Sequence, residues 1–322
     1  MAWTTAHIQA QLSQRYQSGH LINNPVALNN QAEPVVTVFR NFAGDPNRVP
    51  HTSVIIPVHN QREIITNNLN SLIANIAGTF ELFIICDACT DGTLEAVSTW
   101  VTTLPPNLYT RDILLFSVVV IDQPTPVFET TADNMGFILA RGKYVLEVQA
   151  DMQMIQYGFN RQLERAFATG DDVFAVSGRC AHSFIGTTGI GKLGELVEKI
   201  TQIPLNHLPH FFMHQTCNRG PLLIHRQRLA DLGYLDEQNF WLGDDEHDLM
   251  ARAAIHGWVC GYIPIEFISP INQGSTRKPR SPANQAVYDA RKGRAKPETT
   301  ALAAAKEKNA SYKLSVRPFV IC

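Results

Sequence analysis

From His51 onward the chain alternates between two hydrophobic rhythms. TSVIIPV (52–58) is a solid apolar run, the pattern of a strand covered on both faces. Ile64, Ile65, Leu69, Leu72, Ile73 and Ile76 then recur at helical spacing. The exchange repeats downstream. ELFIIC (81–86) predicts a strand, and TLEAVSTWV after Gly92 a helix. LLFSVVVI (114–121) predicts a strand, TADNMGFILA (131–140) a helix and KYVLEV (143–148) a strand. NRQLERAFA (160–168) returns to helix and VFAVSG (173–178) to strand. Such alternation implies βαβ units, hence an α/β domain with a mostly parallel central sheet flanked by helices. In such sheets ligands gather beyond the carboxyl ends of the strands. That selects the loops after Val58, Cys86 and Val148.

The flanks read differently. Residues 1–50 carry Asn/Gln-rich and Pro-containing stretches around one apolar run, PVVTVF, and form an N-terminal extension covering part of the main domain, residues 51–270. Residues 271–322 hold eleven Lys/Arg against three Asp/Glu, so the rest of this 322-residue chain is acidic although the whole carries only −2. They read as a basic, partly mobile tail with a short Ala-rich helix. An acidic body suits metal or phosphate chemistry, and a basic tail suits a peripheral contact with an anionic surface or simple solvation. No nucleic-acid partner is expected. The longest apolar run, ILLFSVVVI (113–121), is too short for a transmembrane segment. The first residues lack the layout of a secretory signal, and six scattered cysteines make no disulfide framework. The expected compartment is cytoplasmic, at most peripheral to a membrane.

Candidate chemistry concentrates in IICDACTDG (84–92). Cys86 and Cys89 have the spacing of a dithiol pair, at a strand end with a helix following. Asp87 and Asp91 crowd them, however, and nearby acids raise thiol pKa values. Asp87 at a strand's carboxyl end can accept a hydrogen bond from a base's ring N–H, as uracil offers; Thr90 and Asp91 suit capping of the next helix. GTTGIGKL (186–193) has the outline of a phosphate loop, yet Leu193 stands where a Ser/Thr hydroxyl would be needed. A flexing lid is the better reading there.

SVIIPVHN (53–60), ELFIICDACTDGT (81–93) and DNMGFILARGKYVLEVQADM (133–152) follow one another with the spacing seen in family 2 glycosyltransferases, which the sequence resembles over about residues 51–265. The resemblance implies a GT-A-like nucleotide-diphospho-sugar transferase fold. It also implies an inverting, metal-dependent hexosyl-type transferase that moves a sugar from a nucleotide diphosphate donor, UDP favoured, to a sugar or glycoconjugate hydroxyl. By that carry-over Pro57, His59 and Asn60 lie under the nucleotide, Asp87 reads the base, and Asn134 and Gly136 shape the pocket. Gln149, Ala150 and Asp151 stand where the family has Asp-x-Asp. Asp151 is then the direct ligand of Mn²⁺ or Mg²⁺, with Gln149 offering a carbonyl oxygen or a metal-bound water. A helix N-cap is the competing reading of Asp151. His59 replaces an aromatic Tyr, Cys86 replaces an Asp, and ETTAD before Asn134 lacks a basic residue.

In FWLGDDEHDLMARAAIHGW (240–258) the resemblance makes Glu246 the general base, with Asp245 a second candidate; some of these acids only complement a helix dipole. CNRGPLLIHRQRLADLGYLDE (217–237) resembles the acceptor-lining stretch, which brings in Asn218, Arg219 and Gly220. Trp241 either stacks on a sugar face or packs in the core. Two alternatives stand beside the transferase: a degenerate, non-catalytic nucleotide-sugar-binding module, and a dithiol oxidoreductase through Cys86 and Cys89.

Overall fold

A computed structural model describes residues 3–15, 34–41, 49–105, 113–184, 192–194, 210–269, 282, 285–286, 300–308 and 315–319. Most of the phosphate-loop-like stretch and most of the basic tail lie outside them.

The alternation of runs and periodic stretches becomes β2 (Thr52–Val58), α2 (Ile65–Asn75), β3 (Gly78–Asp87), α3 (Thr93–Thr103), β4 (Ile113–Gln123), α4 (Phe128–Leu139) and β5 (Tyr144–Glu147). A two-residue β6 (Gln153–Met154), α5 (Phe159–Glu164), a 3₁₀ turn (Arg165–Ala168) and β7 (Val173–Ser177) follow. NRQLERAFA thus splits, because the helix tightens into 3₁₀ geometry at Arg165. Then come β8 (Cys180–His182), β9 (Lys192–Gly194), β10 (His210–His214), β11 (Thr216–Cys217), β12 (Leu222–His225) and α6 (Arg226–Asp231). The chain continues through α7 (Asp245–Ile255), β13 (Val259–Tyr262), β14 (Phe267–Ile268), α8 (Thr300–Lys308) and β15 (Ser315–Pro318).

Ten strands form the main sheet in the order β1-β4-β3-β2-β5-β12-β7-β13-β10-β15, where β1 is Val35–Asn41. Parallel pairing joins β4, β3, β2 and β5 as one block and β7 with β13 as another; antiparallel β12 links the two blocks and leaves them pointing the same way. The carboxyl ends of β2, β3, β5 and β7 therefore share one edge of the sheet.

Solid apolar strands are solid because both faces are covered. Val54, Ile56, Val58, Leu82, Ile84 and Cys86 face Leu69, Leu72, Val97, Trp100, Phe159 and Leu163 on one side. Their alternates Ile55, Phe83 and Ile85 face Met135, Phe137, Leu229 and Leu249 on the other. Burying a Leu, Ile or Phe side chain contributes about 1.5–3 kcal/mol, so this two-sided layer dominates the fold's stability. Gly136 matters for packing. A Cβ there would collide with the Ile55 side chain, so glycine lets α4 settle on β2.

The described parts of the flanks pack onto this domain. α1 (Thr5–Arg15) buries Ile8 and Leu12 in the second layer, while Trp3 Nε1 donates to Glu81 and the Arg141 guanidinium stacks on the Trp3 ring. β1 adds an antiparallel edge to β4. At the opposite edge β15 pairs with β10, and Arg317 binds both carboxylate oxygens of Asp172. α8 packs along α7. The described parts of the tail are thus sheet and helix, because VRPF supplies an apolar, pairable segment among the charges.

Candidate active site

The carboxyl edge is stitched together by side chains from the predicted loops. His59 Nδ1 lies 2.6 Å from the Asp87 carbonyl, Asn60 Oδ1 accepts Thr90 N–H at 2.8 Å, and the Cys89 thiol reaches the Val58 carbonyl at 3.4 Å. Pro57 sits on β2 beyond the last pairing with β5 (Ile55↔Glu147), where its missing N–H leaves no ladder bond unmade. Asn60, Ala88, Phe128 and Asp244 all have positive φ, a costly backbone state for non-glycine residues that collects at functional edges. Asp91 binds Thr93 N–H at 3.0 Å and Arg62 N–H at 3.1 Å, the local turn chemistry expected of it.

Asp87 turns its carboxylate on the chain itself. Its Oδ1 accepts Val127 N–H at 2.8 Å and its Oδ2 accepts Phe128 N–H at 2.9 Å, satisfying the amino end of α4 from across the edge. Replacing Asp87 with alanine strands both amides and is expected to cost about 1–3 kcal/mol in urea denaturation. A loss below about 0.5 kcal/mol would show those bonds to be replaceable by water.

α4 then carries the edge inward. Phe128 packs its ring edge-on to Trp241 at 5.3 Å, so Trp241 has an aromatic packing partner inside the protein. Glu129 and Asp133, four residues apart on one helix face, meet Glu147 from β5; one carboxylate oxygen from each lies within 4.8 Å of the others. A divalent cation can bridge oxygens so spaced. Arg219 already reaches into this nest, with Nη1 2.8 Å from Asp133 Oδ2 and 3.3 Å from Glu129 Oε1. Its Nη2 pairs with Asp245 and lies 3.7 Å from Glu246 Oε2. Gly220 presents its N–H to Glu147 Oε2 at 2.7 Å; with φ +64° and Gln149 Cγ 2.8 Å from where a Cβ would stand, no other residue fits there.

Five carboxyl groups around one guanidinium cannot all be ionised. Burial pushes Asp133 well up and Glu147 to about 8. Burial also raises Asp245, but Arg219 and hydrogen bonds with Glu246 and Thr130 outweigh it and leave that carboxyl lowered. Glu246, next along α7, is lifted to about 7: burial raises it, Arg219 offsets part, and Asp245 pushes it up further. Its Oε2 is buried and has no hydrogen-bond partner among the described residues. Burial would lower His247, yet Asp244, Glu246 and Asp245 together raise it.

The residues taken from the resemblance therefore divide. Asp87, Gln149, Arg219, Gly220, Asp245 and Glu246 fall into one connected edge, linked through the first turn of α4. Asn134 binds the Leu235 backbone on both sides, at 2.9 and 3.0 Å, and Glu237 at 2.8 Å, so its amide holds the 235–237 turn. Asn218 gives its N–H to the Cys180 carbonyl at 3.0 Å. Ala150 is held by Asn68, which donates to its carbonyl at 2.8 Å. No helix starts at Asp151: a turn and β6 follow it, and α5 begins only at Phe159. The N-cap reading of Asp151 is removed. Gln149 holds its Oε1 toward Arg179 Nη1 and its Nε2 toward Glu129 at 3.2 Å.

Glu129, Asp133, Glu147 and Arg179 join the edge without having been marked by the sequence motifs. Two signals in the sequence point to the acids: a carboxyl group inside the apolar strand YVLE, and carboxyl groups at helical spacing in ETTAD.

The sequence profile of "Glycosyl transferase family 2" matches residues 53–217, half of the chain. The chain belongs to glycosyl transferase family 2. The solved mannosyltransferase PcManGT of Pyrobaculum calidifontis, in complex with GDP-Man and Mn²⁺, is similar in fold: TM-score 0.50 and 17% identity over 95% of this chain and 79% of that one. S. aureus TarS 1-349 with UDP gives TM-score 0.44 at 17% identity, covering 67% of this chain and 58% of that one. GalNAc-T7 with UDP, GalNAc and Mn²⁺ gives 0.48 at 14%, covering 68% and 43%. No curated protein matches the sequence. Among the described residues no helix is long and apolar enough to cross a membrane.

Within this family-2 chain the Cys86–Cys89 pair lacks the environment of a redox dithiol. A hydrogen bond with the free thiol of Cys89, then burial, then the charges of nearby Cys89, Asp122 and Asp87 all push the Cys86 thiol up, away from the thiolate. Cys86 is a core residue of β3, fully buried.

Proposed function

We propose that this glycosyltransferase moves a sugar from a nucleoside diphosphate donor to an acceptor hydroxyl with inversion, using Glu246 as general base. The observation that carries the reading is the unequal treatment of two neighbouring acids. Arg219 and Thr130 hold Asp245 ionised and engaged, whereas Glu246 is raised to about 7 and keeps a buried Oε2 with no hydrogen-bond partner among the described residues. A base poised near neutrality takes a proton most effectively at the pH of the cell.

The acceptor oxygen attacks the anomeric carbon opposite the diphosphate, and its proton passes to Glu246. The carbon–oxygen bond to the diphosphate breaks, and its electron pair leaves with the nucleoside diphosphate. Asp151, past the turn after β5, would hold a divalent ion, Mn²⁺ or Mg²⁺, with oxygen ligands of the hard type these ions prefer. When bound, that ion supplies charge opposite the leaving diphosphate. UDP is the favoured donor nucleotide, because Asp87 stands at the carboxyl end of β3 and a carboxylate there suits the ring N–H that uracil offers.

Incubation with a panel of UDP- and GDP-sugars in Mn²⁺, followed by ¹H NMR of the anomeric proton, tests this reading. Donor turnover with inverted product is expected. Tight nucleotide binding with no turnover would instead mark a binding module. Asp151→Asn is expected to abolish the gain in donor affinity that Mn²⁺ produces while sparing affinity in EDTA. An unchanged Mn²⁺ response by calorimetry would move the ion elsewhere.

A further inference from the structure

We propose that Thr130 is the positioning residue of the general base: it clamps both ends of the turn that delivers Glu246, and acts on transfer through Glu246 alone. The proposal rests on the assignment of Glu246 as the base. Thr130 is the third residue of α4, and its N–H is among those that a helix's first turn leaves without an intrahelical carbonyl. That N–H donates across the edge to the Trp241 carbonyl at 3.4 Å. The Thr130 hydroxyl donates to Asp245 Oδ2 at 2.5 Å. One residue of α4 thus grips the chain at Trp241 and again at Asp245.

The span between the two grips needs holding. Gly243 and Asp244 both have positive φ, at +76° and +66°, and the second is a costly state for a residue with a side chain. α7 starts directly after them, and Asp245 passes the restraint on: its Oδ1 accepts the Glu246 N–H at 3.0 Å. Arg219 pairs with Oδ1 and Thr130 with Oδ2, so the plane of the carboxylate is fixed from two directions. Without the hydroxyl that plane can turn about the Arg219 contact, and the Glu246 N–H loses its fixed acceptor. Thr130 and Asp245 are both fully buried, so the lost bond is not handed to solvent. Proton transfer is sensitive to such changes: a displacement of about 1 Å costs about 10²-fold in rate.

Steady-state transfer by Thr130→Val, Thr130→Ser, Glu246→Gln and the double variant Thr130→Val with Glu246→Gln tests this, using the donor that the panel above turns over. Valine keeps the shape and the backbone N–H but has no hydroxyl. Thr130→Val is expected to lower kcat roughly 10- to 100-fold, with donor KM and the calorimetric Kd of the nucleoside diphosphate within about twofold of native. Thr130→Ser, which keeps the hydroxyl, should recover most of the loss. In the Glu246→Gln background valine should cost nothing further, because a residue that acts only through the base has nothing left to position. Native kcat in Thr130→Val overturns the proposal, as does a serine variant as slow as valine. A valine loss that persists undiminished beside Glu246→Gln, or a nucleotide Kd raised about tenfold, overturns it in favour of a general support of the edge. Glu246→Gln within about tenfold of native removes the base assignment and this proposal together.

Discussion

Glu246→Gln is expected to lower transfer about 10²- to 10⁴-fold while leaving nucleotide affinity close to native. The amide keeps the shape of the side chain but has no lone pair basic enough to take the acceptor's proton. The same assignment sets the pH dependence. An acid with a pKa of about 7 is protonated below that value and basic above it, so kcat/KM should rise with pH and level off above about 7. Asp245, held below the usual carboxylate range, would instead give a rate already level through the neutral region. A flat profile between about pH 5.5 and 8, or a Glu246→Gln variant within tenfold of native, would transfer the role to another group.

Arg219→Leu is the substitution expected to cost the fold most. It leaves the ionised Asp245, fully buried, without its counter-charge, and breaking a buried pair costs about 3–5 kcal/mol. The loss should depend on pH in a definite direction. Without Arg219 the folded-state pKa of Asp245 rises above its unfolded value, so the penalty is full at high pH and shrinks as acid protonates the carboxyl. Urea denaturation at about pH 8 and about pH 5 measures both quantities. A penalty below about 1 kcal/mol at the higher pH would mean that the nest discharges itself by taking up protons, and one that grows toward the lower pH would mean that Asp245 is not the charge Arg219 balances. Arg219→Lys, which keeps the charge but loses the fork, should fall between native and leucine.

Much of this molecule is legible in its residue pattern. The strand ending at Val58 and the buried run through Cys86 appear where solid apolar runs predict them, because a strand covered on both faces has no room for polar alternation. α7 begins at Asp245, where its acids complement the helix amino end. Two edge strands are harder to read from sequence. β1 and β15 pair at opposite sheet edges through ladders whose partners lie far away in sequence, and an isolated short run carries no mark of its partner. Asn134 and Gly136, which the resemblance places at a nucleotide pocket, also take part in the packing of α4: the Asn134 amide binds the 235–237 turn, and Gly136 lies against Ile55.

The sequence by itself determined the α/β alternation, the family, and the loops that meet at one edge, since each follows from local periodicity or from residues spaced along a single stretch. Which of two adjacent acids is basic, which arginine is enclosed, and which amide stands between an arginine and a glutamate were decided only by tertiary structure. Charge states depend on burial and on neighbours within a few ångströms, and here those neighbours come from α4, β5, α7 and two loops that are remote from one another along the chain.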